Sequence, residues 1–294
     1  MTDTHKKIYL LLKMVFITLL LLCFHLEVNA QSFTASLQRA NGESTIDYIA
    51  RRVTVTGTGA STRKQTSLAE KKLWALTEAR KNCITTAAQA VGEISVENKT
   101  FLQAGELKGI ATSVQIQNYV QGIKQIEEKT EIQKDGSVIA RVMMIVEFDG
   151  DYGLNKLLFN TFYPPEKTNP RSSPSKETAA VKKNAVSGFV FDVCTLPVEP
   201  SMTPRIYSES GDLLYGPENV SYEYAVQYGI VGYTRNIELV KDRVGSNPVL
   251  ITVKNMKPNE PAHILLSESE VKRIKQIPNY RDIFTSCRVV FLIR

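Results

Sequence analysis

The 294-residue chain is 43% hydrophobic and 22% charged. That is ordinary globular usage, and it excludes a wholly disordered, collagenous or disulfide-dense chain. The net charge of +6 is too mild to argue for nucleic-acid binding. Histidine excludes more: of three in the chain, His5 and His25 lie in a leader-like segment, so His263 stands alone beyond it. A multi-histidine metal centre is closed off, and any Ser-His-Asp or Cys-His site would have to use that residue.

Lys6-Lys7, an apolar run from Met14 to Phe24, and Val28-Asn29-Ala30 form the charged start, core and small-residue cleavage site of a secretory signal peptide. Cleavage between Ala30 and Gln31 is expected. Leu20-Leu21-Leu22-Cys23 is similar to a lipobox, but Leu22 occupies the place of a small residue. The run after Lys13 falls short of the ~20 apolar residues that span a bilayer. The expectation is an exported chain, 1–30 being the signal peptide, with no transmembrane segment after cleavage.

Between Pro164 and Ser187 prolines, serines and basic residues crowd together without a hydrophobic period, the composition of an exposed linker. It separates a first domain, 31–163, from a second, 188–294. In the first, Tyr48 to Thr56 reads as a strand ending in a Gly57-Thr58-Gly59 turn. Ala69, Leu73, Leu76, Ala79, Cys83, Ala87 and Val91 step by three or four, predicting a helix over about 66–91, capped at Thr66 or Ser67. Val114 to Ile132 reads as extended. Asp135-Gly136 marks a turn, and Val138 to Phe148 alternate as a half-buried strand. The order strand, helix, strand, strand predicts α+β, one helix on one face of an antiparallel sheet.

In the second domain, Phe189 to Val193, Val249 to Val253, Ile264 to Leu266 and Val289 to Ile293 read as strands. Arg205 to Tyr207 and Leu213 to Tyr215 flank a hairpin turn at Ser210-Gly211. Tyr222 to Tyr228, Arg235 to Asp242 and Glu268 to Gln276 read as helical.

Gly57-Thr58-Gly59 lacks the third glycine of a dinucleotide loop and the Gly-Lys-Ser/Thr of a P-loop. Tyr215, Tyr222, Tyr224, Tyr228 and Tyr233 are dense enough to stack on a sugar or peptide, while Tyr224 and Tyr228, spaced by four, equally suit the inward face of a helix with their hydroxyls on polar groups. Trp74 sits off the centre of the helix stripe, as an interface anchor or at a core edge. His263 reads as a surface histidine at a strand start. Cys83 reads as a buried core thiol. Cys194 and Cys287 flank the first and last strands of the second domain, where an oxidising compartment allows a disulfide. No catalytic, metal or cofactor-binding residue is assigned.

Arg52 to Ala60, with its Gly-x-Gly, then Glu78-Ala79-Arg80 on the helix and Asp135 to Val138, resemble the lipoprotein-20 family of bacterial envelope proteins. They are similar as well to the N-terminal domain of flagellar assembly protein T. The resemblance covers about 50–150 and implies a small dodecin-like domain and an envelope location. Gly188 to Asp192, Pro200 to Ile206, Leu214 to Gly216, Glu223 to Tyr233 and Cys287 to Val289 look like the C-terminal part of longer exported members. Val193-Cys194-Thr195 departs from the small residue, arginine and glycine expected there. The resemblance carries no catalytic motif.

The function expected from these readings is that of an exported structural or assembly factor that binds envelope proteins, self-association being one way to cover its sheet edge at Gln115 or Gln117. The alternative is a periplasmic module that binds a cell-wall sugar or peptide on the tyrosine-rich segment 215–233, with Tyr222, Tyr224 and Tyr233 in contact.

Overall fold

The computed structural model describes residues 34–39, 42–62, 67–109, 112–165 and 185–294. Ala30, Gln31 and nearly all of the Pro/Ser/Lys-rich stretch lie outside the described residues. Two antiparallel strands, β1 (Thr34–Arg39) and β2 (Gly42–Asp47), precede β3 (Arg52–Ala60). The turn between β2 and β3 closes because Asp47 Oδ1 accepts from the N–H groups of Ile49 and Ala50. Tyr48 therefore belongs to a turn, and the strand expected to begin there starts four residues later.

Helix α1 (Leu68–Glu93) begins at a capping box: the Glu70 N–H donates to Ser67 Oγ, and the Ser67 N–H donates back to the Glu70 carboxylate. Two orphan donors of the first turn are thereby satisfied. Its buried side is made of small residues, among them Ala75, Ala79, Cys83, Ala87 and Ala90, so the helix can lie close on the sheet. The Gly57-Thr58-Gly59 reading is corrected here. These residues do not turn; they continue β3 beneath α1. A Cβ on Gly57 would lie 2.3 Å from Ala79 O and Cys83 N, and one on Gly59 2.3 Å from Ala75 O. The glycines are there for backbone approach, not for a bend.

After a small hairpin, β4 (Ser95–Val96) and β5 (Lys99–Thr100), come α2 (Phe101–Leu107) and α3 (Thr112–Val120). Helix α3 overturns part of the extended region expected from Val114. Ile116 and Val120, four apart and both buried, pack towards α1, and that tertiary contact outweighs the β-branched propensity of the segment. The extended stretch is β6 (Lys124–Ile132), joined through Gly136 (φ +75) to β7 (Val138–Glu147), whose alternate residues are buried. Helix α4 (Leu154–Phe162) closes the first half. The antiparallel sheet runs β1-β2-β3-β7-β6, so β6 is an edge.

The second half is also α+β. Strand β8 (Gly188–Asp192) is followed by the hairpin β9 (Ile206–Ser208) and β10 (Leu213–Tyr215), then α5 (Tyr222–Tyr228) and β11 (Gly232–Thr234). The segment expected to be one helix from Arg235 is a 3₁₀ turn, Ile237–Val240, and a single turn α6 (Lys241–Val244). Then come β12 (Pro248–Thr252), β13 (Asn255–Met256), β14 (Ile264–Leu266), α7 (Glu268–Lys275), α8 (Tyr280–Thr285) and β15 (Val289–Leu292). A parallel sheet runs β11-β15-β8-β12, and a mixed one β10-β9-β14-β13.

Parallel pairing also decides the cysteines. Phe189 lies opposite Val289 and Asp192 opposite Leu292, so Cys287 precedes one end of the ladder and Cys194 follows the other. The paired stretch alone separates them by roughly 10 Å, beyond the ~7 Å that a disulfide bridges. No disulfide joins them, and the expected bridge is corrected accordingly.

The two halves meet within one compact unit, Phe33–Ile293, and one apolar cluster runs through both. Tyr48 stands edge-on to Phe148 and to Tyr233, ring centroids 5.8 and 6.2 Å apart, and joins the core of one half to that of the other.

Candidate functional site

Two polar clusters lock the halves together. In the first, Arg51, held at φ 57 in the β2–β3 turn, donates from both Nε and Nη2 to Asp149, at 2.7 and 2.6 Å. Its Nη1 reaches Val231 O at 3.1 Å across the seam. Asn155 donates to the same carboxylate at 2.8 Å. Gly229, at φ +64, lets this guanidinium lie on its backbone, where a Cβ would stand 2.3 Å from Arg51 Nη2. Nearby, Arg243 gathers four main-chain carbonyls: Cys287 and Val289 from Nε, Tyr228 from Nη1 and Gly229 from Nη2, at 2.7–3.0 Å. Enclosure, and then the like charge of Arg51, pull Arg243 down to about 10.

In the second cluster Arg205 Nη2 donates to Glu97 at 2.9 Å and Glu218 at 2.7 Å, while the Tyr163 hydroxyl donates to Glu97 at 2.5 Å. Burial opposes the charge on Glu97, but the hydrogen bonds from Tyr163 and Arg205 and the charges of Arg205 and Lys108 outweigh it and hold the carboxyl below its ordinary range. His263 completes this cluster. It is 2% exposed, which corrects the expected surface position, and its Nδ1 accepts the Arg205 main-chain N–H at 3.1 Å. Burial and then the Arg205 charge lower it from the ordinary 6.5 to about 4.

This neutral acceptor carries a pH prediction. Between about 6.5 and about 4 the unfolded chain binds a proton that the folded chain refuses. The His263 contribution is therefore whole above about 6.5 and is lost as the pH falls towards 4, by up to about 3 kcal/mol. Glu97, with a depressed value, adds to the loss once the pH falls below its ordinary 4.5. Denaturant unfolding at pH 7 and pH 4.5 measures the effect. The variant His263→Asn, which keeps an acceptor for the Arg205 N–H, should flatten the upper part of the profile, and an equal slope in both proteins would contradict the assignment.

The surface available to a partner lies elsewhere on the first half. An open cleft of about 640 Å³ runs between the start of β6, the end of β7 and α4, within the size range of ligand and peptide sites. Ile123, Ile145 and Leu157 give it apolar walls, and Lys124, Lys156, Glu147 and Asp151 carry charges of both signs at it. The second half braces it: Tyr222 donates to Asn160 Oδ1 at 2.6 Å and Gln227 to Asp151 Oδ1 at 3.4 Å. Tyr119 donates to Tyr152 O at 3.0 Å across one end. From Lys124 at this cleft, β6 runs nine residues along the side of the sheet. Among the described residues no strand pairs with its outer side.

The residues expected to form a contact surface are not brought together. Tyr233 is buried, its hydroxyl donating to Ser201 O and accepting the Ser201 N–H. Tyr215 is fully buried on Ile230 O. Tyr222 is half-buried beside the cleft, while Tyr224 stacks on the exposed Tyr228 at 6.3 Å on the opposite side of α5. The exposure of Tyr228 corrects the reading of Tyr224 and Tyr228 as the inward face of a helix, and the tyrosines that pack into the core are Tyr215 and Tyr233. Trp74 is exposed, next to Leu73, on the outer side of α1. Gln115 and Gln117, expected on an edge strand, lie on α3, and Gln115 accepts from Thr161. Strand β6 is nearly uniformly polar and shows no alternation of its own; the strong β7 pattern beyond the Asp-Gly turn is the signal that implies a hairpin partner. Among the described residues no three His, Cys, Asp or Glu side chains gather as a metal ligand set, and no helix is long and apolar enough to cross a membrane.

The architecture is that of an α+β protein of two bodies. The second body, residues 188–294, matches the bacterial domain family described as Treponema pallidum Tp0624, second domain. No curated protein matches the chain.

Proposed function

We propose that the protein is an exported bacterial envelope component that acts without catalysis, as a structural or assembly factor docking other envelope proteins. One observation carries the reading: a nine-residue edge strand, β6, left unpaired among the described residues and leading from a braced cleft. Such an edge offers a row of main-chain donors and acceptors to an incoming strand, and the neighbouring cleft offers side-chain specificity. Export rests on the signal-like segment 1–30. The envelope setting is supported by the resemblance of residues 50–150 to lipoprotein-20 and flagellar assembly protein T, the flagellar motor being one assembly such a factor would serve.

The test is fractionation and crosslinking in intact cells. The expected result is a mature chain that begins at Gln31, fractionates with the envelope and crosslinks to envelope proteins. A chain that keeps Met1 in the cytoplasm, or crosslinks to nothing, overturns the reading. A second reading, binding of a cell-wall sugar or peptide, draws on the size of the cleft. It requires saturable binding of cell-wall fragments, weakened by Leu157→Asp in the cleft wall.

A further inference from the structure

We infer that the strand β6 pairs with is β6 of a second copy of this chain, antiparallel across a two-fold axis at Thr130. The inference rests on the reading of β6 as a docking edge and names its partner. Two physical features select the occupant. The first is exposed apolar surface on the helix side of the sheet. Leu73 on α1 is 65% exposed and Ile132 on β6 56%. Ile132 lies opposite the buried Val138 and so faces the helix side, where a sixth strand would lie beside it.

The second feature is the order of charges. Glu127, Lys129 and Glu131 share the open face of the sheet, while Glu128, Thr130 and Ile132 share the helix side. An antiparallel pair must match residues of one face. Centring on Glu128 sets two Glu128 carboxylates against each other. Centring on Lys129 sets lysine against lysine and Glu127 against Glu131. Centring on Glu131 sets two carboxylates together again. Centring on Thr130 places Thr130 on Thr130, Lys129 on Glu131 of the second copy, twice, and Ile132 on Glu128, twice, with no like charges opposed. Lys129 already touches Glu127 of its own strand, so in the dimer it lies between two carboxylates. The register break at Gln125/Glu127 ends the regular edge there. Bulges and charges of this kind guard an edge against unselective pairing, and of the registers centred on residues 128 to 131 only that at Thr130 opposes no like charges.

The experiment uses the full chain in its exported form and reads mass in solution by light scattering across a concentration series. Wild type should dimerise. Lys129→Glu and Glu131→Lys should each weaken the dimer about tenfold, since each turns two attractive cross-strand pairs into repulsive ones. An equimolar mixture of the two variants should restore it, because glutamates at both positions in one copy then meet lysines at both positions in the other. Circular dichroism establishes that each variant is folded. A wild type monomeric throughout the series, or variants whose mixture stays monomeric, overturns the inference. If either happens while the same variants lose their envelope crosslinks, the docking function stands and only the identity of the partner falls. If the variants leave both mass and crosslinks unchanged, both fall.

Discussion

Gly57→Val is expected to destabilise the protein by about 4 kcal/mol, and Gly57→Ala by about 3, as measured by denaturant unfolding. The reason is the nature of the neighbours. A Cβ at Gly57 would stand 2.3 Å from Ala79 O, 2.3 Å from Cys83 N and 2.7 Å from Cys83 Cα. All three are helix backbone atoms, none of which can swing aside as a side-chain tip would. Relief requires α1 to lift from β3, and that lift would open contacts along the alanine side from Ala75 to Ala90. The control is Gly109→Ala: Gly109 has open space around it but a φ of +67, so only its backbone strain is felt, about 1 kcal/mol. A Gly57→Ala variant as stable as wild type would show that the helix–sheet spacing is not limiting.

Arg243→Met is expected to cost about 4 kcal/mol. The guanidinium serves four carbonyls drawn from two places, the end of α5 at Tyr228 and Gly229 and the approach to β15 at Cys287 and Val289. Methionine fills much of the volume but leaves those acceptors without their donors, and each unmet buried group costs roughly 1–3 kcal/mol. Arg243→Lys should recover only part of the loss, because one ammonium cannot span the planar fork that holds both places. Equal stability of the methionine variant in thermal or denaturant unfolding would mean that the carbonyls find other donors.

Local signals were sufficient for several elements. The stepping of Ala79, Cys83, Ala87 and Val91, with Ser67 and Glu70 ahead of them, defines α1 because cap and periodicity are both short-range properties of the chain. The alternation from Val138 to Phe148 defines β7, and Ser210-Gly211 the β9–β10 hairpin, for the same reason. The α+β class follows from their order.

The candidate site was much less legible. Strand β6 has no apolar period, since an edge facing solvent needs none, and its extent became apparent only from its pairing with β7. The tyrosines between 215 and 233 form one cluster in the chain but point to different surroundings, because α5 turns Tyr222 towards the cleft and Tyr224 away from it while Tyr233 enters the core.

By itself, then, the sequence determined the α+β class, the capped helix, the regular hairpins and the scarcity of histidine that narrows the chemistry, all readable from composition and from neighbours within a turn or two. Only the tertiary structure decided that Gly57 and Gly59 lie under a helix, that Cys194 and Cys287 stand at opposite ends of a parallel ladder, that His263 is a buried acceptor, and that Arg243 binds carbonyls. Each of these depends on which distant backbone comes within reach, and main-chain partners leave no trace in side-chain pattern.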